Sequence, residues 1–271
     1  MTQTYTTRKN GPVENRACVG FEACTTGSRR RIIISAAAMR PCKTNGRKIP
    51  YQVDVLKVVR ALKRRYGDPR HGNPRRPLDD LIFIVLSTRT RESSFSSTFR
   101  NLKRSFPKWD SVLPGERRKI ERILTPGGLS KLKTRQIIEI MSQLRDRFGR
   151  ATLAPLSKMT SKDAETFLTA LPGVGPKIAK CVLMYTLGGQ VLPVDVHVHR
   201  LATRLGLPTK KRPDTSQELI EHAIPAKLRY SFHVNAIAHG RTLCVAQRPR
   251  CSECPISKWC QYHREYRGTR D

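Results

Sequence analysis

Four cysteines near the end of the chain have the type and spacing to hold a metal centre. Cys244, Cys251, Cys254 and Cys260 follow the pattern Cys-x6-Cys-x2-Cys-x5-Cys. A Cys-x2-Cys pair alone also occurs in zinc sites and redox motifs. Four soft ligands in one short segment suit a tetrahedral iron-sulfur cage. The pattern therefore predicts a [4Fe-4S] cluster, with structural zinc and free or disulfide-bonded thiols as the alternatives.

A second candidate site is the glycine-containing segment at residues 171–179, which reads LPGVGPKIA. Gly173 and Gly175, on either side of Val174, permit a tight turn between two apolar helices. Backbone N–H groups at the start of a helix bind phosphate without reading the base sequence. Lys177 then falls in the first turn of the second helix, where it is either a nucleophilic amine or one more phosphate-binding cation.

Asp195 precedes another predicted helix by one residue, in the sequence VDVHVHR. An aspartate in that place can simply cap the helix. Because one short loop separates it from the lysine helix, its carboxylate could also converge with Lys177 on one cleft and act as an acid or base. His197 is assigned no chemistry, and with Arg200 it is a candidate DNA contact.

The charge of the chain favours a polyanionic partner. Its 271 residues include 52 Lys and Arg against 21 Asp and Glu, a formal net charge of +31. Such a surface is typical of proteins that bind nucleic acid. No stretch approaches the ~20 apolar residues of a transmembrane helix, so we expect no membrane partner. Eight cysteines, four of them in one candidate ligand set, fit a reducing compartment.

The first 48 residues differ in composition from the rest and predict a disordered basic tail. They hold ten Lys and Arg against Glu14 and Glu22, and show no sustained periodicity. A transit peptide and a true start at Met39 both remain open. The expected location is the cytoplasm, at the nucleoid, if the protein is bacterial, with an organelle or the nucleus as alternatives.

From residue 50 onward, apolar residues recur at helical spacing and predict an almost entirely α-helical fold. The apolar run at 81–86 is ambiguous between a buried helix and a buried strand. We predict a helix over about 77–89, since no second strand is available for pairing. Further helices are predicted at about 116–124, 130–148 and 161–170, with glycines as stops between them.

Taken together, the LPGVGPK motif ending at Lys177, the VDVH motif at Asp195 and the four-cysteine ending resemble the endonuclease III branch of the helix-hairpin-helix DNA glycosylases, over roughly residues 50–262. The resemblance implies a catalytic Lys177 and a catalytic Asp195. It also implies an all-α fold in which a six-helix barrel carries the helix-hairpin-helix, beside a second helical domain around the [4Fe-4S] cluster. The implied divisions are a barrel at 78–189, a cluster domain at 49–77 with 190–264, and a C-terminal tail at 265–271.

Some positions depart from the pattern of that family. Arg89 stands where the family commonly has a Gln that fills the gap left by a flipped base, whereas Leu129 matches the second inserting residue. Pro176 replaces a common Arg, and Val196 replaces a common Thr. These departures leave the preferred lesion and the preferred opposite base open.

The function expected from these features is base excision repair by a bifunctional DNA glycosylase and abasic-site lyase. Its substrates would be oxidised pyrimidines and abasic sites in double-stranded DNA, and the protein would act as a monomer. The alternatives are a monofunctional glycosylase for mismatched or alkylated bases and a non-catalytic DNA-binding module. The expected DNA contacts are Gly173, Val174, Gly175, Arg89, Leu129, His197, Arg200, Arg248 and Arg250.

Overall fold

The computed structural model describes residues 53–267, apart from the side chains of residues 92, 93, 266 and 267. This part of the chain is helical and contains no β-strand, which confirms the predicted all-α fold. The predicted basic tail at 1–48 lies outside the described residues. The α-helices are Val55–Tyr66 (α1), Pro77–Ser87 (α2), Glu92–Ser105 (α3), Arg117–Leu124 (α4), Ser130–Phe148 (α5), Ser161–Ala170 (α6), Pro176–Thr186 (α7), Val196–Leu205 (α8), Pro213–Ala223 (α9), Arg229–Thr242 (α10) and Gln261–Arg267 (α11). Short 3-10 turns occupy Trp109–Ser111, Pro114–Glu116, Thr125–Gly127, Ala154–Lys158, Ala226–Leu228, Cys251–Glu253 and Ser257–Trp259.

The ambiguous apolar run at 81–86 forms the middle of α2. This helix packs against α3, α5 and α7. A helix that is covered on several sides needs apolar residues around most of its circumference, which removes the usual amphipathic pattern. The run is therefore continuous because α2 is central to the helical core.

Most predicted helix ends agree with the structure because local caps determine them. Gly149 ends α5 with a left-handed φ of 73°, and Thr160 caps α6 by accepting a hydrogen bond from the Asp163 N–H at 3.2 Å. Helix α2 stops at Ser87, two residues earlier than predicted. There the Thr88 hydroxyl donates to a helix carbonyl at 2.7 Å, and Arg89 takes a φ of 53°.

The helices fall into two packing groups within one compact unit. In one group, α2 packs on α3 and α7, α6 on α7, and α4 on α5. In the other, α10 packs on α1 and α8, and α8 also packs on α9 and α11. The predicted division into a barrel and a second domain of both chain ends stays a proposal, as do its boundaries. Helix α11 extends to Arg267, beyond the start of the predicted C-terminal tail at 265.

Within the described residues, no helix combines the length and apolar character that a membrane span requires.

Candidate active site and cysteine centre

The hairpin turn between α6 and α7 brings backbone amides to the start of α7. Gly173 has a φ of 75°, and a Cβ at this position would overlap the side-chain amide of Gln136. Val174 is buried, and its N–H already donates to the Leu171 carbonyl at 3.1 Å. Of the three predicted hairpin contacts, Gly173 and Gly175 therefore keep amides that are candidates for a phosphate, whereas the Val174 amide is engaged in the turn.

Lys177 is the second residue of α7, and it is exposed. One helical turn further on lies Cys181, which is a buried thiol. Burial raises the pKa of the Cys181 thiol to about 11, and the nearby charges of Lys177, Asp80 and Asp195 also act on it. The charges of the lysine and of two carboxylates from other parts of the chain thus act on the same buried thiol.

Asp195 caps α8, as an aspartate in that position can. Its Oδ1 atom accepts hydrogen bonds from the N–H groups of His197 at 2.9 Å and Val198 at 2.8 Å. Both bonds go to the same oxygen, so the cap does not use the second carboxylate oxygen. The half-buried side chain can therefore hold the helix start and still exchange a proton with a group facing it.

Asp80 is a carboxylate near this site that the sequence did not single out. It lies in the first turn of α2 with no exposed surface, and the Asn73 side chain donates to its Oδ1 at 2.7 Å. Its Oδ2 is buried without a hydrogen-bond partner among the described residues. Burial raises the pKa of Asp80 to about 7, although Asn73 and Lys177 act in the opposite direction. A buried carboxyl with a shifted pKa beside a lysine is typical of catalytic sites.

A chain of aromatic side chains borders the same region. Tyr185 follows Lys177 by two turns on α7, and its hydroxyl lies 2.6 Å from His233 Nε2. The other ring nitrogen of His233 lies 2.9 Å from the Pro193 carbonyl, which can only accept, so Nδ1 carries the proton and Nε2 accepts from the tyrosine. Burial lowers the pKa of His233 and keeps the ring neutral. His71 stacks on Tyr185 with ring centroids 3.7 Å apart.

Lys180, the second candidate nucleophile on α7, forms ion pairs inside the protein. Its side chain is buried, and its Nζ lies 2.7 Å from Glu221 Oε2 and 3.1 Å from Glu165 Oε2. These two ion pairs hold the Lys180 side chain inside the protein. The geometry therefore favours Lys177, which is exposed and stands at the helix start.

Two of the predicted DNA contacts have partners inside the protein. The Arg200 guanidinium donates to the Cys244 carbonyl at 2.9 Å, to the Gly240 carbonyl at 2.8 Å and to His197 Nδ1 at 3.0 Å. The same region is tight, since a Cβ on Gly240 would lie 2.7 Å from His197 Nδ1. In this structure His197 and Arg200 join α8 to α10 and the cysteine segment.

The other predicted contacts are exposed. Arg89 and Leu129 lie on two different loops, both in the left-handed region with φ of 53°, and Leu129 is 47% exposed. Arg248 is also exposed. Arg250 forms a solvent-exposed ion pair with Glu253 at 3.4 Å. These positions are compatible with DNA contact, which remains a prediction.

The four cysteines of the ending line one cavity, together with Arg204 and His239. The cavity lies where the cysteine segment packs on α8 and α10. Arg204 donates to Cys244 Sγ at 3.1 Å and to the Val245 carbonyl at 2.8 Å. His239 Nε2 lies 3.5 Å from Cys254 Sγ.

The chemistry of these thiols fits a cluster. Burial raises the pKa of Cys254 to about 12 and also raises that of Cys251 and Cys260. Several buried thiolates would be costly unless a cationic centre compensated their charge. Among residues 53–267, no three His, Cys, Asp or Glu side chains converge as one metal ion would require. Four thiols that line one cavity are a ligand set of the kind that holds an iron-sulfur cluster.

Comparison with known proteins supports both sites. Residues 82–226 match the family described as HhH-GPD superfamily base excision DNA repair protein. Residues 244–260 match the iron-sulfur binding domain of endonuclease III, and this range begins and ends at the first and last predicted ligands. The predicted [4Fe-4S] cofactor is confirmed by this match.

Individual relatives and solved structures agree with these two family matches. A candidate DNA glycosylase of Arabidopsis thaliana is 35% identical over 65% of this chain, which spans 58% of that protein. Endonuclease III of Thermotoga maritima is 27% identical over 78% of this chain and 93% of its own length. A solved complex of endonuclease III with DNA has the same fold, with a TM-score of 0.68 at 23% identity over 79% of this chain and 97% of that one. A thermostable thymine-DNA glycosylase has a TM-score of 0.64 at 18% identity over 77% and 95% of the two chains.

Proposed function

The chain belongs to the HhH-GPD superfamily of base excision DNA repair proteins, and from this premise we propose that it is both a DNA glycosylase and an abasic-site lyase. It is an endonuclease III-like DNA glycosylase that binds DNA and carries a [4Fe-4S] cluster. The lyase activity is the proposed step. The observation that carries it is the exposure of Lys177 in the first turn of α7, where its charge and those of Asp80 and Asp195 act on the same buried thiol, Cys181.

The reaction begins with the target nucleotide outside the helical stack, because C1′ of its sugar is otherwise out of reach. The amine of Lys177 attacks C1′ through its nitrogen lone pair, and the damaged base leaves with the electron pair of the glycosidic bond and takes up a proton from water. Asp195 accepts the proton that the amine loses and opposes the positive charge that develops on the sugar.

Ring opening of this adduct gives an imine between Lys177 and C1′. The imine withdraws electrons from C2′, so loss of a C2′ proton expels the 3′ phosphate by β-elimination. Water then hydrolyses the imine and frees the lysine. Asp195 can carry the proton in both directions, since its second oxygen is not used by the helix cap.

The cluster has a structural part in this scheme. When bound, it supplies no reacting atom and fixes the loop between its ligands, where Arg248 is exposed. Arg200 and Arg204 connect that loop to α8, the helix that Asp195 caps. Through these two arginines, the loop that we propose to contact DNA is joined to the helix that Asp195 caps.

The proposed substrate is double-stranded DNA that contains oxidised pyrimidines or abasic sites, bound by a monomer. The sequence relationship to endonuclease III supports this class. Thymine glycol and 5-hydroxycytosine in duplex DNA, tested beside uracil, 8-oxoguanine and an abasic site, would determine the order of preference.

Borohydride trapping tests the lyase proposal, because it reduces the imine to an amine that survives denaturation. Wild-type protein with an abasic duplex should give a covalent adduct. Lys177→Ala should give none and should still bind DNA through the hairpin amides and the basic surface. Lys180→Ala is the matched control on the same helix and should retain the adduct.

Two results would contradict the proposal. An adduct that persists in Lys177→Ala and disappears in Lys180→Ala would show that Lys180 is the nucleophile. Base release by the wild type without an adduct would make the protein a monofunctional glycosylase, a function consistent with its structural similarity to the thymine-DNA glycosylase.

A further inference from the structure

Lys133, in the first turn of α5, is a buried cation that the proposed reaction does not use. Its side chain is 2% exposed, and its Nζ donates to the Leu86 carbonyl at 2.7 Å and to Thr90 Oγ1 at 2.6 Å. Burial lowers the pKa of Lys133, and no carboxylate among the described groups acts against it. A buried lysine without an ion-pair partner is expensive, so its two hydrogen bonds require an explanation.

The first bond caps α2 from another helix. Leu86 lies in the last turn of α2, where carbonyl groups lack partners within the helix. A cation at this end also interacts favourably with the helix dipole. Helix α2 has no basic residue of its own in that turn, so Lys133 supplies the charge.

The second bond connects two loops. Thr90 lies in the loop after α2, and its hydroxyl, which accepts from Lys133, lies 2.8 Å from the Gly127 carbonyl in the loop before α5. The backbone N–H of Lys133 donates to the Leu129 carbonyl in that same loop at 2.9 Å. One lysine thus holds the end of α2 and both loops in a fixed arrangement.

Each of these loops presents one exposed residue in an uncommon backbone conformation. Arg89 and Leu129 both have a φ of 53°. A non-glycine residue remains in this region when its surroundings hold it there. The bonds from Lys133 and Thr90 provide such surroundings, and they act directly beside both residues.

We infer that Lys133 is a positioning residue: it sets Arg89 and Leu129 at the separation needed to fill the gap that a flipped nucleotide leaves in DNA. The inference rests on the proposed function, which requires flipping. Lys133 acts through the two loops and touches neither the DNA nor the reacting sugar.

Thr90 provides the sharpest pair of variants, because Lys133→Met alone could lower stability. Thr90→Val keeps the shape of the side chain and removes the hydroxyl, whereas Thr90→Ser keeps the hydroxyl. Leu144→Ala is the control for lost stability. Leu144 is a buried residue of α5 and lies eleven residues from Lys133, roughly 16 Å along the helix axis.

The readout is the fluorescence of 2-aminopurine placed opposite a stable tetrahydrofuran analogue of an abasic site, which Lys177 cannot attack. Fluorescence rises when the opposite base is unstacked. We expect the wild type, Thr90→Ser and Leu144→Ala to raise the signal at saturating protein, and Lys133→Met and Thr90→Val to lose most of this rise. On a reactive abasic duplex, the latter two should form the borohydride adduct roughly 10- to 100-fold more slowly, as expected for misplacement of about 1 Å.

Equal signals for Thr90→Val and Thr90→Ser, or a loss in Leu144→Ala as large as that in Lys133→Met, would overturn the inference. An unchanged signal with wild-type protein would overturn it as well. The adduct of wild-type protein with the abasic duplex tests the proposed function separately, since that reaction depends on Lys177.

Discussion

The Lys177 site and the cysteine centre both gather charged groups, and they differ in how completely those groups are satisfied. At the Lys177 site, Asp80 has a buried oxygen without a hydrogen-bond partner among the described residues, and the Asp195 cap uses one of two oxygens. In the cysteine centre, Arg204 uses both terminal nitrogens, with the Val245 carbonyl and the Ala246 carbonyl as acceptors, whereas a ring nitrogen, His263 Nδ1, is buried without a partner among the described residues.

We interpret this difference as that between a proposed reactive site and a structural one. Buried polar groups are almost always hydrogen-bonded, so an unsatisfied carboxyl oxygen indicates a place where a substrate or a proton can be accepted. An arginine bonded through both terminal nitrogens instead rigidifies the segment that it contacts. The two regions should therefore respond differently to substitution.

The largest effect is expected in the cysteine centre. Cys254→Ala removes one ligand and should yield protein that lacks iron, lacks the broad absorbance near ~400 nm, and is largely insoluble, because the segment is held by the cluster. Cys181→Ala, a buried thiol outside the centre, is the control and should keep the absorbance. Iron analysis and absorbance measure both. Full iron content in soluble Cys254→Ala would show that this cysteine is not a ligand.

At Asp195 we expect a large loss of rate with little loss of stability. Asparagine keeps the oxygen that caps α8 but cannot take a proton, so Asp195→Asn should slow single-turnover trapping by about 10²- to 10⁴-fold. Asp195→Ala should lose about 0.5–2 kcal/mol of unfolding free energy in addition, because the cap is lost. Urea unfolding beside trapping separates the two roles. Wild-type rates in Asp195→Asn would leave capping as the sole role.

A smaller effect, dependent on pH, is expected at Asp80. Its pKa is raised to about 7 in the folded protein from an ordinary value of 3.8. Between these values the folded state holds a proton that the unfolded state has lost, so stability falls as pH rises and the loss is complete above about pH 7. Asp80→Asn should remove this slope, which is at most about 1.4 kcal/mol per pH unit.

Urea midpoints at pH 5, 6, 7 and 8 measure this slope. Asp146→Asn, at an exposed position of α5, is the control and should follow the wild type. Parallel curves for Asp80→Asn and wild type would mean that Asp80 ionises normally in the folded protein, and the contrast between the two regions would then be weaker than proposed.

Features that depend on neighbouring residues could be predicted from the sequence. The cysteine ligands lie within one segment, and their spacing alone indicated the cluster. The bounds of α5 and α6 follow from local signals such as Gly149 and Thr160. The hairpin and the Asp195 cap are likewise encoded within a few residues, so both could be predicted from the sequence.

Features that depend on tertiary packing could not be predicted in this way. Asp80 lies near the site because α2 packs on α7, the helix of Lys177, which is almost one hundred positions further along the chain. Nothing in the local sequence of Asp80 distinguishes it from an exposed residue in the first turn of a helix. The internal roles of Arg200 and Lys133 also depend on distant carbonyl groups. Cys181 and Tyr185, four and eight residues after Lys177, share its helix face and could have been found from that spacing.

The hydrogen bond between the Tyr66 hydroxyl and His239 Nδ1, at 2.9 Å, has a consequence for the order of folding during synthesis. These residues are 173 positions apart, and they join α1 to α10. At a synthesis rate of about 5–20 residues per second, α1 must wait roughly 10–30 s for this partner to be translated. Helices α2 to α7 can pack on one another during that interval, so the part of the chain with the hairpin can fold on the ribosome before iron and sulfide are needed.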